Sequence, residues 1–275
     1  METVYIEKPK DHISVIYMNR PERLNAMSAE LCTDLCETFS RISADNDTWV
    51  AILTGRGRAF CSGLDLEDHG LVPGIDGLTV PPIAMRSIEH FSKVVPTLRS
   101  VRQPVIAVVN GPAYGGGMCL SLGADIRIAE ASAVFNATGI VNGLTSTELG
   151  ASFLLPRLIG ASHSFDMMLT GRTVDAAEAK EMGLVSRVVP DHEGLNTAYK
   201  IAEGMLKFSR YGLEMTKQTL WANLEVPGMQ AAIDLENRSQ LLLGLTDNLP
   251  ECIVARREKR QPVYEDLPRR TLEQK

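Results

Sequence analysis

Two glycine-bearing segments, each following a run that reads as a β-strand, are where this chain can present bare backbone N–H groups to a ligand. The first spans residues 56–65 and contains Gly57, Ser62, Gly63, Leu64 and Asp65. A glycine permits a turn closed to other residues, so the next N–H can point into a cleft instead of into the sheet. Taken alone, the segment reads either as such a donor loop or as a plain surface turn. The second spans residues 105–120: an apolar strand, the turn Asn110-Gly111-Pro112, then Gly115, Gly116 and Gly117 leading into an apolar helix. Glycines at a helix start let a ligand approach unpaired N–H groups, and the helix dipole favours negative charge there. That arrangement suits an oxyanion. A phosphate loop would need a Lys-Ser/Thr pair after the glycines, and none follows.

The elements that must hold these loops alternate. Runs rich in β-branched residues at 13–18, 50–54, 104–109 and 124–128 are separated by helical patterns, the first over residues 29–43 with Ser28 as its N-cap. This rhythm predicts an α/β sheet built through crossover connections. A short strand is expected at 185–189. Helical spacing then dominates at 197–206, 213–224 and 229–243, so the last third is expected to be helical. Residues 67–82, rich in Gly, Pro and Asp, read as a mobile loop, and the charged stretch from Arg256 as a solvated tail.

Composition narrows the partners. A formal net charge of -6 provides no overall attraction for nucleic acid or an anionic membrane. Five scattered cysteines form neither a disulfide framework nor a metal-binding spacing, and they read as free thiols of a cytoplasmic protein. No apolar run reaches membrane-spanning length.

The two glycine segments, with residues 19–27 upstream (NRPERLNAM) and 154–160, 169–172 and 176–185 downstream, closely resemble the enoyl-CoA hydratase/isomerase (crotonase) superfamily over nearly the whole chain. The resemblance implies an α/β spiral of ββα units with a helical C-terminal trimerisation region. Residues 1–200 would be the acyl-CoA-binding core and 201–275 the oligomerisation region of a homotrimer or dimer of trimers. It also implies that the backbone N–H groups of Leu64 and Gly116 form an oxyanion hole for a thioester enolate. Arg23, Leu24, Ala26, Ser62 and Gly63 would line the coenzyme A channel, and no cofactor is needed beyond the coenzyme A of the substrate. Arg20, Arg23, Arg56 and Arg58 are candidates to pair with its phosphates.

The sequence departs from the family at the side chains that choose the reaction. Hydratases of this family carry two glutamates; their positions here fall on Cys119 and Gly139. One carboxylate, Glu148, lies in the region where isomerases of the family keep an acid. Its apolar neighbours Leu144, Leu149 and Phe153 would desolvate it and make it a better base. The bland reading of Glu148 is an acid in the first turn of a helix capped by Thr145, Ser146 or Thr147. For Cys119 it is a buried small apolar residue. Single-base isomerisation in fatty-acid metabolism therefore fits the residues better than two-glutamate hydration. The competing reading is a non-catalytic acyl-CoA carrier that has lost its bases.

Overall fold

The protein is described by a computed structural model covering residues 2–267. Strands β1 (Val4–Lys10) and β2 (Ile13–Met18) form an antiparallel hairpin, with Val4 opposite Met18. Helix α1 (Ala29–Ala44) follows, and Ser28 Oγ accepts a hydrogen bond from Leu31 N at 3.1 Å, the cap expected from the sequence. Then come β3 (Val50–Gly55), α2 (Val80–Ser92), α3 (Val94–Ser100), β4 (Val105–Val109), β5 (Ala113–Tyr114) and α4 (Gly116–Leu122). The pattern repeats with β6 (Ile126–Glu130), β7 (Val134–Asn136) and α5 (Ala151–Thr170). It ends with β8 (Val174–Asp175), α6 (Ala176–Glu181), β9 (Arg187–Val189), α7 (Gly194–Met205), α8 (Arg210–Asn223), α9 (Met229–Gly244) and α10 (Asn248–Glu258).

The main sheet has the order β1-β2-β3-β4-β6-β9 and is parallel from β2 onward; a small second sheet has the order β5-β7-β8. A strand of the large sheet, a strand of the small sheet and then a helix form one unit, seen in β4-β5-α4 and again in β6-β7-α5. This is the ββα spiral anticipated from the sequence. Strands β2, β3 and β4 are buried at every position because helices cover both faces of the sheet. Ile13, Val15, Val50 and Ile52 pack on Ala198 and Ala202 of α7, while Ile16, Met18 and Leu53 face Leu31, Leu35 and Phe39 of α1. Side chains alternating across each strand divide the core into these two layers.

Three boundaries differ from expectation. Helix α2 begins at Val80, inside the segment read as a loop. Pro81 and Pro82 stand in its first turn, where a missing N–H costs nothing. The stretch from Arg256 is not a free tail as far as it is described. Helix α10 runs through Arg256 and Arg257, and the chain then folds back so that Asp266 accepts hydrogen bonds from Tyr211 N at 3.1 Å and Asn248 Nδ2 at 2.6 Å. Residues 268–275 of that stretch lie outside the described residues. Strand β9 is shorter than expected, since Ser186 N turns to the Arg127 carbonyl before the ladder starts.

Helix α8 is fastened to the core by charge. Asp125, in the turn before β6, takes Lys217 Nζ at 2.9 Å, Trp221 Nε1 at 2.6 Å and Val105 N at 2.6 Å; Lys217 also donates to the Gln103 carbonyl at 2.9 Å. Helices α9 and α10 carry exposed Leu241, Leu242, Leu249 and Ile253. Among the described residues no helix is long and apolar enough to cross a membrane.

Candidate active site

The two glycine segments adjoin. Beyond β3 the chain runs alongside β5: Cys61 N donates to the Pro112 carbonyl at 3.1 Å, and Tyr114 N to the Cys61 carbonyl at 3.0 Å. Gly63 then turns with φ of 91°, and Met27 pairs with both of Leu64's neighbours, donating to the Gly63 carbonyl at 2.7 Å and accepting from Asp65 N at 3.0 Å. Bonds to alternate residues of a parallel ladder leave the residue between them facing the other way, so Leu64 N–H points away from Met27. Gly116 N–H belongs to the first turn of α4, which has no intrahelical acceptor. Neither N–H donates to a protein acceptor among the described residues. A Cβ placed on Gly63 would stand 2.8 Å from the Tyr114 carbonyl oxygen and 3.6 Å from Gly116 N, so the two loops leave no room for a side chain between them. Two free donors on adjoining rigid loops are the equipment of an oxyanion site.

Glu148 stands on the loop between β7 and α5, outside any helix. Helix α5 starts at Ala151 with Gly150 as its N-cap, and no side chain caps it, so the first-turn acid with a Thr or Ser cap is corrected. Ser146 instead pins the loop internally, donating to the Ala137 carbonyl at 2.8 Å and accepting from Ile140 N at 3.1 Å. Leu149 has φ of 46° and Gly150 of 87°, and this left-handed pair turns the Glu148 carboxylate back toward α4. Glu148 Oε1 lies 3.2 Å from where a Cβ on Gly115 would be. Burial raises its pKa above the ordinary glutamate value.

The two positions that the family resemblance matches to the hydratase glutamates, Cys119 and Gly139, offer no carboxylate and no room for one. Cys119 is buried with its Sγ 3.6 Å from the Glu148 carbonyl oxygen, and burial, then the Glu148 charge, pushes its thiol well above the ordinary value. It is a small apolar filler, as the bland reading had it. A Cβ on Gly139 would collide with the Thr145 carbonyl, so this loop accommodates no side chain there.

The arginines near the site are occupied. Asp65, almost fully buried, receives Arg23 Nη2 at 2.6 Å and Arg20 Nη2 at 3.0 Å, as well as the backbone N–H groups of Glu67 and Asp68. Burial opposes its ionisation, but Arg23 and those N–H groups outweigh it and hold the carboxyl well below the usual range. Arg23 also pairs with Glu67 at 2.6 Å, and Arg56 with Glu7 at 2.9 Å while lying over the Tyr17 ring. Arg20, Arg23 and Arg56, candidates to pair with phosphates, are thus each ion-paired within the chain in this structure. Leu24, Ala26, Ser62 and Gly63 do come together: Ser62 N donates to the Leu24 carbonyl at 3.1 Å.

One residue of this region was missed in the sequence. Asn25, fully buried with φ of 55°, donates to the Arg56 and Ala59 carbonyls at 2.9 Å each and accepts from Arg20 N at 2.9 Å. The available signal was an asparagine between apolar neighbours, since asparagine tolerates the left-handed region.

A cleft of about 260 Å³ opens beyond Leu149, lined by Val95, Phe153 and Leu154, with the Arg99–Glu225 pair (2.8 Å) at its edge. A larger cleft of about 490 Å³ lies on the α7 side of the sheet, beside Arg56, Arg58 and His192. The smaller one borders the site, since Leu149 of its lining has its Cδ2 3.7 Å from where a Cβ on Gly116 would be; neither cleft is lined by Leu64, Gly116 or Glu148 themselves.

A sequence profile of the enoyl-CoA hydratase/isomerase family matches residues 8–268. The chain belongs to this family. Membership makes it an acyl-CoA-binding enzyme of the hydratase/isomerase type. A probable enoyl-CoA hydratase of Mycobacterium bovis is 50% identical over 264 residues, covering 96% of this chain and 93% of the relative. The 1,2-epoxyphenylacetyl-CoA isomerase of Escherichia coli is 32% identical over 252 residues, covering 92% and 94%. A solved probable enoyl-CoA hydratase/isomerase from Mycobacterium abscessus superimposes with a TM-score of 0.92 at 45% identity, over 97% of this chain and all of the other. A monofunctional enoyl-CoA isomerase from Mycobacterium smegmatis gives 0.72 at 42%, over 85% and 99%.

Proposed function

We propose that this enzyme moves a double bond within an acyl-CoA thioester, using Glu148 as its single acid/base group. The observation that carries this reading is the placement of one desolvated carboxylate against the Gly115 turn while both hydratase glutamate positions are filled by Cys119 and Gly139. Leu64 and Gly116 N–H groups receive the thioester carbonyl oxygen. Glu148 takes a proton from the α-carbon, and the electron pair of that C–H bond passes into a dienolate whose charge rests on the oxygen between the two donors. The protonated Glu148 then returns the proton at the γ-carbon, so the double bond shifts by one position and no water is consumed. Each donor is worth about 3 kcal/mol of barrier, because its charge-stabilising geometry is set before the reaction begins. A carboxylate with a raised pKa is the stronger base for the first step and is regenerated by the second.

Arg23, Leu24, Ala26, Ser62 and Gly63 line the coenzyme A channel in this reading, with Arg23 contributing its stem and backbone while its guanidinium serves Asp65. The acyl chain runs past Leu149 into the 260 Å³ cleft. Residues 201–275 supply the exposed apolar surface of α9 and α10 for a homotrimer or dimer of trimers, and the enzyme serves fatty-acid metabolism in the cytoplasm. The similar structure whose name specifies an enoyl-CoA isomerase supports the reaction class.

The test incubates the protein with crotonyl-CoA, a 3-enoyl-CoA and a dienoyl-CoA while following absorbance and mass. Double-bond migration that Glu148→Gln abolishes, with acyl-CoA binding retained, is the expected result. Water addition with no migration would make it a hydratase, and binding without any conversion would restore the carrier reading.

A further inference from the structure

Gly115, with φ of 48° and ψ of −119°, has no side chain to fill the space beside its Cα, and two oxygens border that space. One is Glu148 Oε1, 3.2 Å from the point a Cβ would occupy; the other is Thr138 Oγ1, 2.6 Å from the same point. The two oxygens therefore lie within the roughly 6 Å that two O–H···O bonds through one water can span. Neither the Thr138 hydroxyl nor the Glu148 carboxylate has a hydrogen bond to protein among the described residues, although both are half-buried. Neither oxygen is among the buried side-chain atoms left without a partner, so solvent reaches both and a water can join them.

Thr138 is not free to turn elsewhere. Two residues earlier the Asn136 carbonyl accepts Gly115 N at 2.8 Å, its own carbonyl accepts Asn142 N at 3.1 Å, and Gly139 behind it is packed against the Thr145 carbonyl. The backbone thus presents the hydroxyl to the Gly115 notch.

We propose that Thr138 is a positioning residue for Glu148, its hydroxyl donating to the carboxylate directly or through one water held in the Gly115 notch. This rests on the reading of Glu148 as the base. One carboxylate oxygen is then held by the hydroxyl and the other is turned toward the substrate. A donor to the ionised form also favours that form, so Thr138 limits how far burial can shift the carboxylate from its working range. A carboxyl that must visit two substrate carbons in one turnover benefits from a fixed pivot.

The experiment compares Thr138→Val, which keeps shape and removes the hydroxyl, with Thr138→Ser, which keeps the hydroxyl, by kcat/KM against pH on the isomerised substrate. The acid limb is expected to move upward by about one pH unit in T138V, a tenfold loss on the acidic side, and to return in T138S, with acyl-CoA affinity equal in all three proteins. A ¹³C-carboxyl titration of Glu148, assigned by its disappearance in E148Q, reads the same shift without turnover; Thr138→Ala replaces T138V should that variant fail to fold. An unmoved limb and titration in T138V, with E148Q inactive, overturn the role of Thr138 alone. Full turnover in E148Q overturns the base assignment and this inference together.

Discussion

The two halves of the site are built differently. The Leu64 and Gly116 half is held by backbone ladders on both sides, by the buried Asn25 side chain and by the Asp65 carboxylate gripping Arg20 and Arg23. The Glu148 half is a loop pinned mainly by Ser146, ending in the left-handed pair Leu149 and Gly150, with a carboxylate that bonds to no protein group among the described residues. In the proposed reading the first half receives what every acyl-CoA shares, a thioester oxygen, and the second half acts at the carbons. Placing it on a loop lets an altered length and a few side chains change the chemistry while the oxygen-binding half stays intact.

Breaking the rigid half at its hub has the largest expected effect. Asp65→Ala leaves the largely buried Arg20 guanidinium without its carboxylate, and a loss of about 3–5 kcal/mol is expected in denaturant unfolding. The same pair makes stability acid-sensitive. Because the folded pKa of Asp65 is depressed, its contribution is full above the unfolded carboxylate value and is lost as pH falls through the folded one, which a melting series toward low pH reads.

Next comes a variant that removes one donor. Gly116→Pro deletes the N–H at the first helical position, its Cβ displacing the flexible Met27 Sδ that lies 2.7 Å from that point, and kcat should fall by about 10²–10³-fold with acyl-CoA binding kept and the fold checked by thermal melting. A fall in binding matching the fall in kcat would mean that this N–H holds the substrate and its transition state alike.

On the loop side, Phe153→Trp narrows the cleft beyond Leu149. Turnover of long acyl chains is expected to drop by about tenfold while four-carbon substrates are unaffected, measured as kcat/KM across chain lengths. The smallest effect sharpens the contrast from the stability side. Glu148 has a raised folded pKa, so the native state loses stability as pH rises from the unfolded carboxylate value up to the folded one, and the loss is complete above it. E148Q should therefore melt higher than the parent at neutral pH, and the difference should vanish below the unfolded carboxylate range.

Much of the rigid half was legible because its signals are local: glycines after strands, a Ser28 cap, continuous apolar runs rich in β-branched residues. Asp65 was readable as a turn residue, but its grip on Arg20 and Arg23 joins residues more than forty positions apart, and spacing holds no record of that. Thr138 gave no signal at all, since a lone threonine after a strand is ordinary until the fold brings Gly115 beside it. Glu148 was identified as a candidate, and only its bland alternative put it on a helix, because capping residues at 145–147 look alike whether they cap a helix or, as Ser146 does, close a loop.

The link from Asp125 to α8 has a consequence for how the chain becomes a protein during synthesis. Asp125 sits in the turn before β6, yet the ammonium that neutralises it, Lys217, and the indole that completes its bonding, Trp221, are made some ninety residues later. Until α8 is made, the start of β6 carries a carboxylate without the cation and the indole that satisfy it in the finished fold, so a product truncated before Lys217 lacks the partners of a charge at the end of its own sheet.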